Sequence, residues 1–107
     1  MTQFSLTDLE RLIAERASAT AAASYTRTLL DKGAVHCAKK MGEEAIETVL
    51  AAAGEDRAHL IAESSDLLYH LLVVLKARGV AFSEVEAELA RRTTQSGHAE
   101  KAARSPG

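Results

Sequence analysis

The 107-residue chain has no tryptophan, one cysteine and one proline, and aromatic residues make up only 4% of it. The proline, Pro106, is the penultimate residue, so no proline interrupts a helix in the body of the chain. Cys37 can form neither an internal disulfide nor, by itself, a zinc site, which is consistent with a reducing compartment. Because alanine is abundant and aromatic residues are few, the composition favours α-helix nearly throughout.

Charge and hydropathy argue against nucleic-acid-binding, membrane and secreted proteins. The formal net charge is −2, which provides no broad basic surface for nucleic acid. The longest fully apolar run, LLVVL at 71–75, is far shorter than a membrane span, and the N-terminal MTQFSLTDLERL does not resemble a signal peptide. We expect a soluble, cytoplasmic protein with one domain over residues 1–92. Residues 93–107 form a polar C-terminal tail that substrate or a partner subunit would order.

Capping and stop signals divide the chain into helices. Thr7 with Glu10 and Ser83 with Glu86 have the spacing of capping boxes, which predict the starts of the first and last helices. The other helix boundaries are predicted at Ser24, Gly33, Ala34, Gly54, Asp56 and Gly79. These signals predict an all-α bundle of four to five helices.

The third helix is predicted to have an acidic face. On a wheel of about 100° per residue, an arc of about 60° contains His36, Lys40, Glu43 and Glu47, with Glu44 at its margin. The opposite side is the expected packing stripe and contains Ala38, Met41, Ala45, Val49 and Ala52.

The fourth helix repeats this pattern within a largely apolar sequence. His59, Glu63, Asp66 and His70 share one arc of about 60°, and leucine and valine cover much of the rest. A helix of this kind is expected to be buried, and carboxylates are rarely buried unless they are paired or bind a metal ion. If the two acidic faces meet, four or five carboxylates converge and repel one another unless a cation is present. Hard divalent ions, above all Mg²⁺, meet that need.

A solvated acidic surface is the alternative interpretation. A single glutamate on a helix is most often solvated, and one acidic pair at i,i+3 is a weak signal. Two such pairs on consecutive helices, Glu44 with Glu47 and Glu63 with Asp66, are harder to explain in that way. The pattern therefore favours a metal site.

These acidic pairs also carry a family resemblance. EAIE at 44–47 followed by ESSD at 63–66 resembles the ExxE…ExxD signature of the MazG-like all-α nucleotide pyrophosphohydrolases. With SYTRTLL, KKMGEEAIETVLAA, ESSDLLYHLLVVL and SGHAEKAAR, the chain is similar to the phosphoribosyl-ATP pyrophosphohydrolase family of histidine biosynthesis from Ser24 to Arg104. His98 departs from the family pattern, in which an aliphatic residue is expected.

The resemblance implies Mg²⁺-dependent hydrolysis of 1-(5-phosphoribosyl)-ATP to 1-(5-phosphoribosyl)-AMP and pyrophosphate, with Mn²⁺ as a substitute cation. It implies that Glu44, Glu47, Glu63 and Asp66 are the metal ligands. Cleavage of a phosphoanhydride needs an activated water and cations that stabilise the departing pyrophosphate, so the chemistry agrees with the carboxylate pattern. We expect no fused cyclohydrolase domain, and we expect functional coupling to a separate phosphoribosyl-AMP cyclohydrolase.

Two lysines precede the acidic residues by one turn. Lys39 and Lys40 either form ion pairs with Glu43 and Glu44 or bind substrate phosphate, and we retain them as substrate-binding candidates. Glu43 is the catalytic candidate, with a supporting role favoured among three options: an additional ligand, a general base or a tether for Lys39.

Tyr25 and His70 are the remaining substrate-binding candidates, although a histidine beside a core is more often structural. Arg27 is a further candidate for the nucleotide, and Tyr69 is expected to pack. Adjacent residues on a helix point about 100° apart, so Cys37 is expected to be a small buried residue rather than the partner of His36 in a catalytic dyad.

Two other functions remain open from the sequence: a house-cleaning pyrophosphatase of non-standard nucleoside triphosphates, and a non-catalytic helical interaction module. Whether the enzyme acts on phosphoribosyl-ATP or on non-standard nucleoside triphosphates, we expect a homodimer or higher homo-oligomer. In it, the central helices pair with those of a second subunit. The reason is that the other helices are too few to cover the apolar fourth helix, which leaves four residues partly uncovered: Leu67, Leu71, Val74 and Leu75.

Overall fold

Five α-helices and no β-strand make up residues 3–94, the part of the chain that the computed structural model describes. The helices are α1 (Leu6–Ala17), α2 (Tyr25–Asp31), α3 (Ala34–Ala53), α4 (Arg57–Ala77) and α5 (Phe82–Arg92). The predicted all-α class is therefore confirmed. Gly33 lies between α2 and α3 with a φ of 95°, a left-handed conformation that glycine adopts at little cost.

The N-cap of the first helix is Ser5, two residues before the predicted N-cap Thr7, whose capping box would have used Glu10. Asp8 N–H donates to the Ser5 hydroxyl at 3.2 Å, and Ser5 N–H donates to the Asp8 carboxylate at 2.9 Å. The two Ser/Thr-x-x-acid patterns overlap, and the earlier one is used. Glu10 is thereby free to bind a different part of the chain.

The start of α5 shows the same displacement from the predicted box at Ser83. Glu84, not Glu86, reaches back to accept the Ala81 N–H at 2.9 Å. The next backbone N–H, that of Phe82, donates to the Glu10 carboxylate of α1 at 2.7 Å. This long-range contact attaches α5 to α1, which explains why the helix starts at Phe82.

The hydrophobic core forms at one end of an α3–α4 hairpin. A turn at residues 54–56 joins these two long helices, which have the most extensive contact of any helix pair in the described chain. The buried cluster takes residues from four helices: Ile13, Leu29, Cys37, Leu72 and Val73. Since Cys37 lies early in α3 and Val73 late in α4, α1 and α2 cover the open end of the hairpin.

The predicted packing stripe on α3 is wrong for three of its five residues, and the other two, Met41 and Ala45, are half-buried. Ala38, Val49 and Ala52 are exposed, whereas the buried residues of the helix are Cys37 and Ala51. The wheel gives the angles between side chains but not the rotation of the helix against its neighbour. Packing on α4 fixes that rotation and brings Glu44 and Thr48, both half-buried, to the same side as the buried residues.

Within residues 3–94, no other helix covers the turn end of the hairpin. Apart from Val35 near the start of α3, the hairpin's large exposed apolar residues are Ile46, Val49, Leu50, Ile61 and Leu68. The residues that the sequence analysis predicted to be partly uncovered are half-buried: Leu67, Leu71, Val74 and Leu75. Uncovered apolar surface is therefore present, but it lies mainly on other residues.

By length and composition alone, α4 qualifies as a membrane span. It has 21 residues, and its most apolar window has a mean hydropathy of 1.3. Core helices of soluble proteins meet the same criterion. The middle of α4 carries Glu63 and Asp66, whose charges are costly in a bilayer, and its second half contributes Leu72 and Val73 to the core. These features favour a core helix.

The core assignment predicts a large stability difference between two valines. Val73→Ala removes a side chain that is 0% exposed and should lower the free energy of unfolding by about 2–3 kcal/mol. Val35→Ala is the matched control on a long helix, because Val35 is 86% exposed, and should change it by less than about 0.5 kcal/mol. Urea unfolding at one fixed protein concentration measures both, and equal effects would contradict the assignment.

Candidate active site

Three carboxylates meet across the contact between α3 and α4. Glu44 projects from α3, and Glu63 and Asp66 lie one turn apart on α4. One oxygen atom of each lies within 4.8 Å of the other two. Glu44 and Glu63 are half-buried and Asp66 is exposed, so the group, called here the acidic cluster, opens to solvent on one side. The spacing suits a hard divalent cation that is bound by oxygen atoms.

The acidic cluster contains three of the four predicted metal ligands. Glu47, one turn after Glu44, is exposed and lies outside the group. Glu44 was placed at the margin of the predicted arc, yet it is the α3 residue nearest to the α4 carboxylates. The reason is again the rotation of α3, which turns Glu44 toward α4 and leaves Glu43 and Glu47 toward solvent.

No lysine or arginine of residues 3–94 forms an ion pair with the acidic cluster. The nearest cationic group is His59, whose Nε2 lies 3.6 Å from Glu63 Oε1 and which is a counter-charge only when protonated. Three carboxylates this close repel one another. The three carboxylates of the cluster therefore supply both the negative charge and the oxygen atoms that a divalent cation requires.

Lys40 and Glu43 form an ion pair beside the acidic cluster. Lys40 Nζ lies 3.1 Å from Glu43 Oε1. This hydrogen bond is the main cause that raises the pKa of Lys40, with smaller effects from Tyr25 and Glu44. The same bond lowers the pKa of Glu43, with a weaker effect of Lys39. Glu43 is therefore a tether for Lys40 rather than for the exposed Lys39.

An aromatic group lies at the start of α2 and the middle of α4. The ring of Tyr25, 57% exposed, stacks near the ring of Tyr69 with centroids 6.5 Å apart. The Tyr69 hydroxyl and the buried Thr26 hydroxyl are 2.6 Å apart. Burial raises the pKa of Tyr69 despite that bond. Tyr69 thus packs, as predicted, and Tyr25 presents an exposed aromatic surface.

His70 is buried behind these rings. Its edge meets Tyr69 with centroids 5.0 Å apart, and its Nδ1 lies 2.8 Å from the carbonyl oxygen of Asp66. Because a carbonyl only accepts, the ring proton must lie on Nδ1. Nε2 is buried and has no hydrogen-bond partner within residues 3–94. A substrate contact through Nε2 would require that atom to become accessible.

Known proteins match this chain over most of its length. Residues 6–93 match the family model described as phosphoribosyl-ATP pyrophosphohydrolase. The chain is 66% identical over 99 residues to a phosphoribosyl-ATP pyrophosphatase of Azorhizobium caulinodans, with 92% of this chain and 91% of that protein covered. It is 62% identical over 104 residues to a phosphoribosyl-ATP pyrophosphatase 1 of Bradyrhizobium diazoefficiens, with 97% and 98% covered. The chain belongs to the phosphoribosyl-ATP pyrophosphohydrolase family.

This membership bears out the resemblance, which began from the acidic pairs. The family match includes every predicted site residue from Tyr25 to His70. The C-terminal part of the resemblance, with the unusual His98, lies outside residues 3–94, as does most of the predicted tail.

Two threonines at this candidate site were missed in the sequence analysis. Thr26 bonds Tyr69, and Thr48 lies in the contact between α3 and α4, with its Oγ1 2.8 Å from Glu44 O and 3.1 Å from Glu63 O. Both lie in stretches that carry the family resemblance, SYTRTLL and KKMGEEAIETVLAA, but neither residue has a charge that would mark it as part of a site. Only the spacing of Thr48, four residues after Glu44, hints that both lie on one side of α3.

Burial of Cys37 predicts that its thiol is unreactive in the folded protein. Cys37 is 1% exposed, and its Sγ–H donates to Leu29 O at 3.2 Å. Burial raises the pKa of the thiol, so the folded form resists ionisation near the usual pKa of about 8.5. Iodoacetamide at pH 8 should modify Cys37 at least about tenfold more slowly than in urea-unfolded protein, measured by mass spectrometry.

The same shift has a defined effect on stability. Burial raises the pKa of Cys37 in the folded protein above its value in the unfolded chain. The protonated thiol therefore contributes fully to the free energy of unfolding below the unfolded pKa, and this contribution is lost as pH rises toward the folded pKa. The Cys37→Ala variant should lack this loss above about pH 8.5. Rapid alkylation of Cys37 by iodoacetamide in the folded protein would contradict the prediction that the thiol is unreactive.

Proposed function

We propose that this chain hydrolyses 1-(5-phosphoribosyl)-ATP to 1-(5-phosphoribosyl)-AMP and pyrophosphate in histidine biosynthesis. The observation that carries the proposal is the identity of 61–66% to three phosphoribosyl-ATP pyrophosphatases over more than nine-tenths of the chain. The acidic cluster agrees with it, because phosphoanhydride hydrolysis relies on carboxylates that hold divalent cations.

We propose Mg²⁺, with Mn²⁺ as a substitute, as the cation of the acidic cluster. Glu44, Glu63 and Asp66 would hold it, and the exposed Glu47, one turn after Glu44 on α3, would be recruited as a fourth ligand. Two features support this proposal: all the candidate ligand atoms are oxygen, and no lysine or arginine of residues 3–94 forms an ion pair with the acidic cluster. When bound, the cation neutralises charge on the phosphates and on the departing pyrophosphate.

The remaining site residues would position the nucleotide. Lys40, held by Glu43, places a positive charge next to the acidic cluster, where the triphosphate would lie, and Lys39 adds a second one. The exposed ring of Tyr25 offers a surface for the base or ribose. Hydrolysis consumes one water and releases a proton, which an ionised carboxylate of the cluster would accept. In this proposal Glu43 supports catalysis through Lys40.

We also propose that the active form is a homodimer or a larger homo-oligomer. The hairpin's exposed apolar residues include Leu50, 61% exposed, and Val49, 67% exposed. Only 17% of the most apolar window of α4 is buried within the chain. Exposed apolar residues in such number favour an interface, and pairing of two hairpins would complete a four-helix core. The protein would act in the cytoplasm, with a separate phosphoribosyl-AMP cyclohydrolase consuming its product.

Pyrophosphate release from 1-(5-phosphoribosyl)-ATP, measured with and without Mg²⁺, tests the reaction. The wild-type protein should depend on Mg²⁺ and should act poorly on ATP, dUTP and ITP. Glu63→Gln removes one charge of the cluster with little change of shape and should lower kcat/KM by about 100-fold or more, equivalent to about 2.7 kcal/mol.

Glu55→Gln is the matched control, because Glu55 is an exposed glutamate in the turn of the same hairpin and should leave activity within about twofold. The increase in melting temperature that Mg²⁺ causes should disappear in Glu63→Gln and persist in Glu55→Gln. Near-normal turnover by Glu63→Gln would refute the metal site. Equal turnover of ATP, dUTP or ITP would instead indicate a house-cleaning enzyme.

Sedimentation velocity at micromolar concentration tests the oligomer. The wild-type protein should sediment as a dimer or larger, and Leu50→Glu should shift it toward the 11.4 kDa monomer, because a charge would be buried in the interface. Leu89→Glu is the control, because Leu89 is 55% exposed on α5 and lies outside the hairpin. A fully active wild-type monomer would refute the proposal.

A further inference from the structure

A single threonine side chain links the two helices that supply the acidic cluster. Thr48 is half-buried on α3, one turn after Glu44, and its Oγ1 lies 2.8 Å from Glu44 O. The same oxygen lies 3.1 Å from Glu63 O on α4. In the part of the chain from residue 3 to residue 94, no other side-chain hydrogen bond and no ion pair joins α3 to α4.

The contact to Glu44 O alone would be unremarkable, because threonine in a helix often donates to the carbonyl four residues earlier. The contact to Glu63 O distinguishes Thr48. A hydroxyl has one hydrogen, which is shared between or alternates between the two carbonyls. Both carbonyls belong to residues whose carboxylates are members of the acidic cluster. The Thr48 hydroxyl therefore joins α3 to α4 at the same position along the hairpin as the acidic cluster.

This location matters because the cluster opposes the packing that creates it. The Glu44 carboxylate repels the carboxylates of Glu63 and Asp66 across the α3–α4 contact, and the apolar side chains beside it allow the helices to slide or separate. Apolar packing is not directional, whereas a hydrogen bond fixes both a distance and a register. A shift of one ångström between α3 and α4 would change the carboxylate spacing directly.

We propose that Thr48 is a positioning residue, which holds α3 and α4 in the register that sets the spacing between Glu44 and Glu63 for a divalent cation. It does not touch the cation or the substrate; it acts through the backbone of the two ligands. The inference depends on the proposed function only in that the acidic cluster binds a cation.

The test is Mn²⁺ affinity, measured with the metal alone from the electron paramagnetic resonance signal of free Mn²⁺. Thr48→Val keeps the shape and removes the hydroxyl, and it should weaken Mn²⁺ binding by about tenfold. Thr48→Ser keeps the hydroxyl and should bind within about twofold of wild type. Turnover by Thr48→Val should fall at limiting Mn²⁺ and recover when Mn²⁺ is raised, which a general loss of stability would not produce.

Thr28→Val is the matched control. Thr28 Oγ1 also lies between two carbonyl oxygens, at 3.2 Å from Ser24 O and 3.2 Å from Ala21 O, but far from the cluster in sequence and on a different helix. This variant should bind Mn²⁺ as the wild type does. If Thr48→Val does not fold, Thr48→Ala removes the same hydroxyl with the best helix-forming residue and takes its place.

Two results would overturn the inference: Mn²⁺ affinity of folded Thr48→Val within about twofold of wild type, or a loss in Thr48→Ser as large as in Thr48→Val, since that would assign the effect to the methyl group. If the wild-type protein itself binds no Mn²⁺, the proposed metal site fails and this inference fails with it. The wild-type titration therefore separates the two failures.

Discussion

The repulsion among Glu44, Glu63 and Asp66 is the constraint on which the rest of this structure depends. Oxygen atoms of these side chains lie within 4.8 Å of one another at a helix–helix contact, where apolar residues would be more stable. The protein compensates for this repulsion elsewhere. A core built from α1, α2 and the open end of the hairpin holds α3 against α4, and that packing energy keeps the carboxylates together. Stability at one end of the hairpin thus serves chemistry at its middle.

The division of labour among the charged residues follows from this arrangement. Lysines are present on α3, yet Lys40 pairs with Glu43 and does not neutralise the acidic cluster. A lysine within the cluster would occupy the position of a cation and reduce the net negative charge that attracts it. In the proposed function, placing Lys40 beside the cluster instead would leave the carboxylates available for a cation and keep a positive charge where phosphate would lie. The ion pair of Glu43 and Lys40 is therefore more informative about function than about stability.

Much of the fold could be predicted from local signals, and the site only in part. As predicted, α3 ends before Gly54 and α4 begins after Asp56, because caps and stops act over a few residues. The pairing of acidic residues on α4 was correct because Glu63 and Asp66 are separated by a fixed three residues of one helix. Which α3 glutamate meets them was not predictable in the same way. The rotation of α3 about its own axis is decided by side chains on other helices. For this reason Glu44 is half-buried against α4 and Glu47 is exposed.

The location of the acidic cluster at the boundary of the covered part of the hairpin has a consequence for its dynamics. Toward Val73 the hairpin is enclosed by other helices, whereas toward the turn at residues 54–56 its backbone is held by little except the two helices themselves. Local opening in proteins begins where buried apolar contacts are few, and it can occur without disturbing the core. Amide hydrogen exchange should therefore be graded along α3 and α4, slow at the core end and fast at the turn. The carboxylates lie between these two regions, so the backbone that carries them is expected to exchange at intermediate rates.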